Sequence, residues 1–185
     1  MVDEVLLETE EKMGKTLQFL QQELSGIRTG KAHPSLVDTI TVDYYGSPTR
    51  LRDIANISTP EPRLIVINPF DPSSLGLIEK AIIAANIGIT PMNDGRLIRI
   101  PIPELSEERR KEMVKLASRT TEEQRVAVRN IRRDANDQIK SLQKNGDITE
   151  DERDAGLEEV QKLTDEHIKK MDEMLAAKEK EILEV

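Results

Sequence analysis

Residues 106–144 read SEERRKEMVKLASRTTEEQRVAVRNIRRDANDQIKSLQK, and the spacing inside this stretch decides the architecture. Met113, Ala117, Thr120, Gln124, Val128, Ile131, Ala135, Ile139 and Leu142 recur at steps of three and four, which puts them on one face of a helix. Thr120, Ile131 and Leu142 are eleven apart, a repeat that keeps that face aligned with little supercoiling. Ser106 followed by Glu107 and Glu108 offers a capping hydroxyl and first-turn acids, so a helix is expected to start there and run to about Lys144. At about 1.5 Å per residue such a rod is roughly 60 Å long.

Two further segments supply partners for its apolar stripe. In the first thirty residues Leu6, Met13, Leu17, Leu20, Leu24 and Ile27 follow helical spacing. Gly14 weakens that helix by roughly 1 kcal/mol relative to Ala, and Gly30 suits its stop, with Pro34 preventing resumption. Beyond residue 144, Asn145-Gly146 breaks the chain, and Thr149 with Glu152 forms a capping box. Leu157, Val160, Thr164, Ile168, Met171, Leu175, Lys178 and Ile182 then carry a third stripe to the end. Three long amphipathic helices imply a slender bundle.

Residues 31–105 have another character. Ile40 and Val42 alternate with Thr39, Thr41 and Asp43 as in a half-buried strand, and Tyr45-Gly46-Ser47-Pro48 is a turn signal. Leu64-Ile65-Val66-Ile67 reads as a buried strand, and Asp71-Pro72 opens a helix whose stripe is Leu75, Ile78, Ile82 and Ala85. Asn93-Asp94-Gly95 turns into a strand from Leu97 to Ile102, placed at a sheet edge because it contains Pro101. The expected fold class is therefore α+β: a long antiparallel three-helix bundle (1–30 and 106–185) with a small inserted α+β domain (31–105). The connectors around Lys31–Pro34 and Pro101–Leu105 contain Pro and no long Gly/Ser run, which predicts a hinge of limited range.

Composition narrows the function. Aromatic residues make up 2% of the 185, too few for the stacking platforms that bind single strands, so any RNA contact must rest on phosphates and shape. There is no Cys, which excludes disulfides, thiolate metal sites and cysteine nucleophiles. No apolar run approaches a membrane span, and the acidic start Met1-Val2-Asp3-Glu4 lacks a secretory layout. A soluble cytoplasmic protein is expected. The two histidines, His33 in a connector and His167 in the last helix, have no evident catalytic partners, and His167 reads as a bundle-edge residue. EF-hand spacing is absent. Neither an enzyme nor any cofactor or metal is expected.

What remains is charge. The chain carries 27 Lys+Arg against 35 Asp+Glu, yet residues 109–133 hold nine basic residues and three Glu. Arg125, Arg129, Arg132 and Arg133 are offset by four, seven and eight residues, so all four leave one side of the helix. The arc of Lys111, Lys115, Arg119, Arg129 and Arg133 lies opposite the apolar stripe and faces solvent. Arg28, at the end of the first helix, could be brought beside it. Guanidinium forks suit bidentate phosphate contact. Basic helix faces are commonly plain solvated surface, and charge alone leaves surface and site evenly balanced. A coiled-coil adaptor or chaperone using the same face for acidic protein partners is the main competing reading of a site.

Four motifs then carry a resemblance. Leu24-Ser25-Gly26-Ile27-Arg28-Thr29-Gly30-Lys31-Ala32, Asp43-Tyr44-Tyr45-Gly46, Glu107-Glu108-Arg109-Arg110-Lys111 and Val126-Ala127-Val128-Arg129-Asn130-Ile131-Arg132-Arg133-Asp134 together resemble bacterial ribosome recycling factors, in order and over essentially the whole chain. The resemblance implies an L-shaped arrangement of a three-helix bundle and a β/α/β domain. It implies action as a monomer on the post-termination ribosome, the bundle lying against large-subunit rRNA. Elongation factor G with GTP then splits the subunits and releases mRNA and deacylated tRNA; DNA and membranes play no part. The matching rRNA-contact positions are Arg28, Lys31, Arg110, Arg129, Arg132 and Arg133. Lys31 stands where the family usually has Arg, which keeps the charge and loses the planar fork.

Overall fold

From the N-terminus, α1 (Val2–Ser25) is followed by a 3₁₀ turn (Pro34–Leu36), a hairpin of β1 (Thr41–Tyr44) and β2 (Ser47–Arg50), and one helical turn, α2 (Leu51–Ile54). Then come β3 (Ala55–Glu61), β4 (Leu64–Pro69), a second 3₁₀ turn (Pro72–Ser74), α3 (Leu75–Ala85), β5 (Met92–Asn93) and β6 (Ile98–Pro101). Two rods, α4 (Glu107–Lys144) and α5 (Glu150–Leu183), complete the chain. The computed structural model describes residues 1–184. It divides into two units, 1–29 with 107–185, and 30–106.

In the first unit α1, α4 and α5 pack along their stripes. Met13, Leu20, Leu24, Ala117, Val128, Met171, Leu175 and Ile182 share one buried cluster, and Ala135, Ile139 and Val160 a second. A Cβ on Gly156 would meet Val2 Cγ1 at 3.0 Å and Ile139 Cδ1 at 3.2 Å, so this glycine is where all three helices close up. Because the start of α1 meets both the far half of α4 and the start of α5, α1 runs antiparallel to α4 and parallel to α5.

The stripes differ from expectation in detail. Thr121, not Thr120, is the fully buried threonine of α4, and Thr9 fills the gap between Leu6 and Met13. His167 is not an edge residue: it is 6% exposed, and its Nδ1 lies 2.7 Å from the Leu163 carbonyl, to which it must donate. Thr9, Thr121 and Thr164 likewise donate to the carbonyls of Val5, Ala117 and Val160 at 2.6, 2.8 and 2.8 Å. These four buried groups are thus satisfied one turn back, with no need of a cross-helix partner.

The helix ends follow local chemistry. After α4, Gly146 (φ 82°) donates to Gln143 O and Asp147 to Leu142 O, the paired bonds of a Schellman stop. Thr149 Oγ1 accepts from Glu152 N at 3.2 Å while Glu152 Oε2 accepts from Thr149 N at 2.7 Å, closing the capping box. α1 ends at Ser25 with Gly26 as its cap in right-handed geometry, earlier than a stop at Gly30.

The second unit holds a two-stranded sheet, β1-β2, and a four-stranded antiparallel sheet ordered β3-β4-β6-β5, with α3 between β4 and β5. Tyr45 and Gly46 turn the first hairpin with φ of 51° and 81°, the two left-handed residues of a tight hairpin loop. Val37, Val42, Leu51, Ile65, Ile67, Ile78, Ile82, Ile98 and Ile100 form the core. Ala85, expected on the buried stripe of α3, is exposed. β6 is an inner strand, contrary to the edge placement. Pro101 is tolerated because β5 pairs only with Ile98 and Arg99, so no neighbour reaches the missing N–H.

Candidate nucleic-acid interface

The four arginines of α4 do not share one environment. At about 100° per residue, Arg132 and Arg125 lie about 40° and 60° from the buried Val128, whereas Arg129 and Arg133 lie about 100° and 140° away. The first pair therefore stands on a shoulder of the helix and the second points outward. Exposure agrees. The Arg125 side chain is 19% exposed and that of Arg129 40%, while Arg133 is exposed and Arg132 intermediate.

Ion pairing separates them further. Arg125 is held by α5: its Nε donates to Asp172 Oδ1 at 2.8 Å, and its Nη1 donates to Glu122 Oε2 at 2.9 Å. Glu122 also accepts from Arg129 Nη1 at 3.1 Å through its other oxygen. Hydrogen bonds from Arg125 and then Arg129 lower the Glu122 pKa below its ordinary value, so the carboxylate stays charged between them. Arg125 is thus a link between α4 and α5, worth about 1 kcal/mol or less at this exposure. It is a correction to the ladder of four. Arg133 has only a 3.4 Å contact to Asn130 Oδ1, and Arg132 has no ion pair among the described residues.

The other candidate positions are dispersed. Arg110 sits in the first turn of α4, about 30 Å along the axis from Arg129–Arg133. Arg28 lies exposed just past α1. Since α1 is antiparallel to α4, Arg28 is level with the first turns of α4 and not beside Arg132. Lys31 belongs to the second unit. Of the candidate positions on α4, Arg110 thus lies near its start and Arg129, Arg132 and Arg133 past its middle.

Glu122 and Asp172 were not singled out in the sequence. Glu122 could have been, since it precedes Arg125 by three residues, a helix-neighbour spacing, and Arg129 by seven, two turns along the same face. Asp172 could not, because its meeting with Arg125 depends on the register of α5. Among the described residues no cluster of His, Asp and Glu could hold a metal ion, and no helix is long and apolar enough to cross a membrane.

The ribosome recycling factor family matches residues 20–183. This chain belongs to the ribosome recycling factor family. Its relatives include the ribosome-recycling factor of Bacillus subtilis (strain 168), 55% identical over 185 residues and 100% of both chains. That of Oleidesulfovibrio alaskensis is 53% identical over 184 residues, again 100% of both. Among solved structures, a ribosome recycling factor in solution superposes with a TM-score of 0.81 at 40% identity, covering 100% of this chain and 98% of that one. A T. thermophilus ribosome recycling factor, described with E. coli elongation factor G on the E. coli post-termination complex, aligns with a TM-score of 0.68 at 43% identity over 100% of both chains. The family comprises non-enzymatic translation factors, so the adaptor reading gives way.

Proposed function

We propose that this chain recycles ribosomes by seating its bundle on large-subunit rRNA through the outward side of α4. Elongation factor G with GTP then separates the subunits and frees mRNA and deacylated tRNA. The chain would act as a monomer in the cytoplasm. The observation carrying the docking half is that Arg132 and Arg133 have no carboxylate partner among the described residues, while Arg125 is committed to Asp172. A guanidinium without an internal anion keeps its donors for phosphate oxygens. The helix that presents it is already rigid, so little ordering is paid on binding. Arg28, Arg110, Arg129 and Lys31 complete the proposed rRNA contacts.

Neutralised phosphates release counterions, so affinity should fall steeply with salt. With about four to six contacts the log–log slope is about −3 to −5. The acids of α5 repel RNA and restrict docking to one side of the bundle. Arg132→Ala should weaken ribosome binding by about 1–3 kcal/mol and leave the helical circular dichroism intact. An unchanged dissociation constant would remove Arg132 from the site. Recycling itself is read by polysome breakdown with elongation factor G and GTP.

A further inference from the structure

Two buried side-chain atoms of α4 lack a hydrogen-bond partner among the described residues: Nε of Arg132 and Oδ1 of Asn136. One is a donor and the other an acceptor. They belong to residues four apart, neighbours on one helix flank. This flank is the shoulder on which Arg125, seven residues earlier, meets Asp172 of α5. The buried threonines and His167 of the same bundle all find a carbonyl one turn back. Two complementary orphans side by side are therefore exceptional here, and each bears the desolvation penalty of an unmade bond.

We infer that Asn136 is a positioning residue for Arg132: the two atoms are not bonded to each other in this structure, and a rotation of either side chain or one bridging water lets Asn136 Oδ1 take the Arg132 Nε–H. The consequence follows from the shape of the guanidinium. The group is planar with Nε nearest the helix, so fixing the Nε–H fixes the plane and leaves the two Nη groups directed outward as a fork. A neutral acceptor does this without discharging the arginine. Glu122 shows the alternative on the same helix: it orients Arg129 and Arg125 but neutralises part of their charge. Asn136 orients and leaves the charge whole. The inference rests on the proposed docking through α4.

The test is a double-mutant cycle on the full chain, with dissociation constants for purified ribosomes measured across a salt series. Asn136→Ala should weaken binding by about threefold to tenfold, the worth of one hydrogen bond. It should also flatten the salt dependence although no charge is removed. In an Arg132→Ala background it should cause no further loss. Equal losses in both backgrounds would mean that Asn136 acts independently of Arg132 and would overturn the inference. So would an Asn136→Ala variant that binds and responds to salt like the parent while Arg132→Ala is weakened; the docking proposal would then stand. If Arg132→Ala itself binds normally, docking through Arg132 and the role of Asn136 fall together.

Discussion

Glu122 holds both Arg125 and Arg129, and it sets how much positive charge α4 shows to a polyanion. Replacing it by Gln removes the anion while keeping the side-chain shape. Glu122→Gln should therefore tighten ribosome binding and make the salt slope steeper by about 0.7–0.9, one additional phosphate equivalent. Titration of affinity against salt checks this, and an unaltered slope would mean that Arg129 already leaves Glu122 when bound. A second carboxylate matters in the inserted domain. Asp71 Oδ1 accepts from Ser73 Oγ and Ser73 N at 2.7 and 3.0 Å, and Oδ2 from Tyr45 Oη at 3.0 Å; these bonds lower its pKa. Backbone N–H groups of Leu97 and Arg96 lower that of Asp94 in the same way. A group whose folded pKa lies below its unfolded value of 3.8 contributes stability above that pH and loses it as pH falls through the folded pKa. The inserted domain should therefore weaken in acid below about pH 4, and Asp71→Asn should make its stability less pH-dependent. Both tyrosines, Tyr44 and Tyr45, lie in this domain and the chain has no Trp, so tyrosine fluorescence during urea unfolding reads it directly.

At the scale of the element, two glycines inside helices have opposite surroundings. A Cβ on Gly14 of α1 meets nothing within 4 Å, whereas one on Gly156 of α5 presses on Val2 and Ile139 at 3.0 and 3.2 Å. Both would gain the same helix propensity on substitution by Ala. Gly14→Ala should thus stabilise the bundle by about 1 kcal/mol, raising the melting temperature by about 2–4 °C. Gly156→Ala should fall short of that gain, and the gap between the two melting curves measures the packing that the glycine permits. Elements were also the scale at which the sequence was most readable. The three stripes, the capping box at Thr149 and the stop at Asn145-Gly146 all rest on groups within a few residues of one another, whereas Asp71-Pro72 opens the 3₁₀ turn Pro72–Ser74 and α3 itself starts at Leu75. Where the reading slipped, a neighbour was responsible. Thr121 replaces Thr120 because the bundle interior lies slightly to one side of the apolar average, and β6 is internal because the two-residue β5 was too short to see.

For the molecule as a whole, charge is sorted along the chain: residues 109–133 are basic while the segment of α5 is acidic. This polarity supports a single docking side, and the chain passes between its two units twice, at Thr29–Gly30 and Ser106–Glu107. If elongation factor G acts on the inserted domain, force must cross both passages. Gly insertions in both connectors should then preserve ribosome binding and impair polysome breakdown; full recycling by the loosened chain would count against transmission through them. The candidate site was legible in part. Arg129, Arg132 and Arg133 emerge from helical phase alone, and Arg110 from the motif that opens α4. The separation of Arg28 from Arg132 follows from the expected antiparallel bundle, whereas the loss of Arg125 to Asp172 was not legible, since it depends on the register of α5.

Sequence alone determined what depends on near neighbours: helix faces, caps, the hairpin turn and the concentration of cations on α4. Those signals are local because backbone hydrogen bonds and side-chain adjacency in a helix act over three or four residues. Tertiary structure decided which of the cations remain available. Asp172 takes Arg125, Nε of Arg132 and Oδ1 of Asn136 are buried, and His167 turns inward. Each depends on the register between helices far apart in the chain, and that register is set by packing of the whole apolar seam.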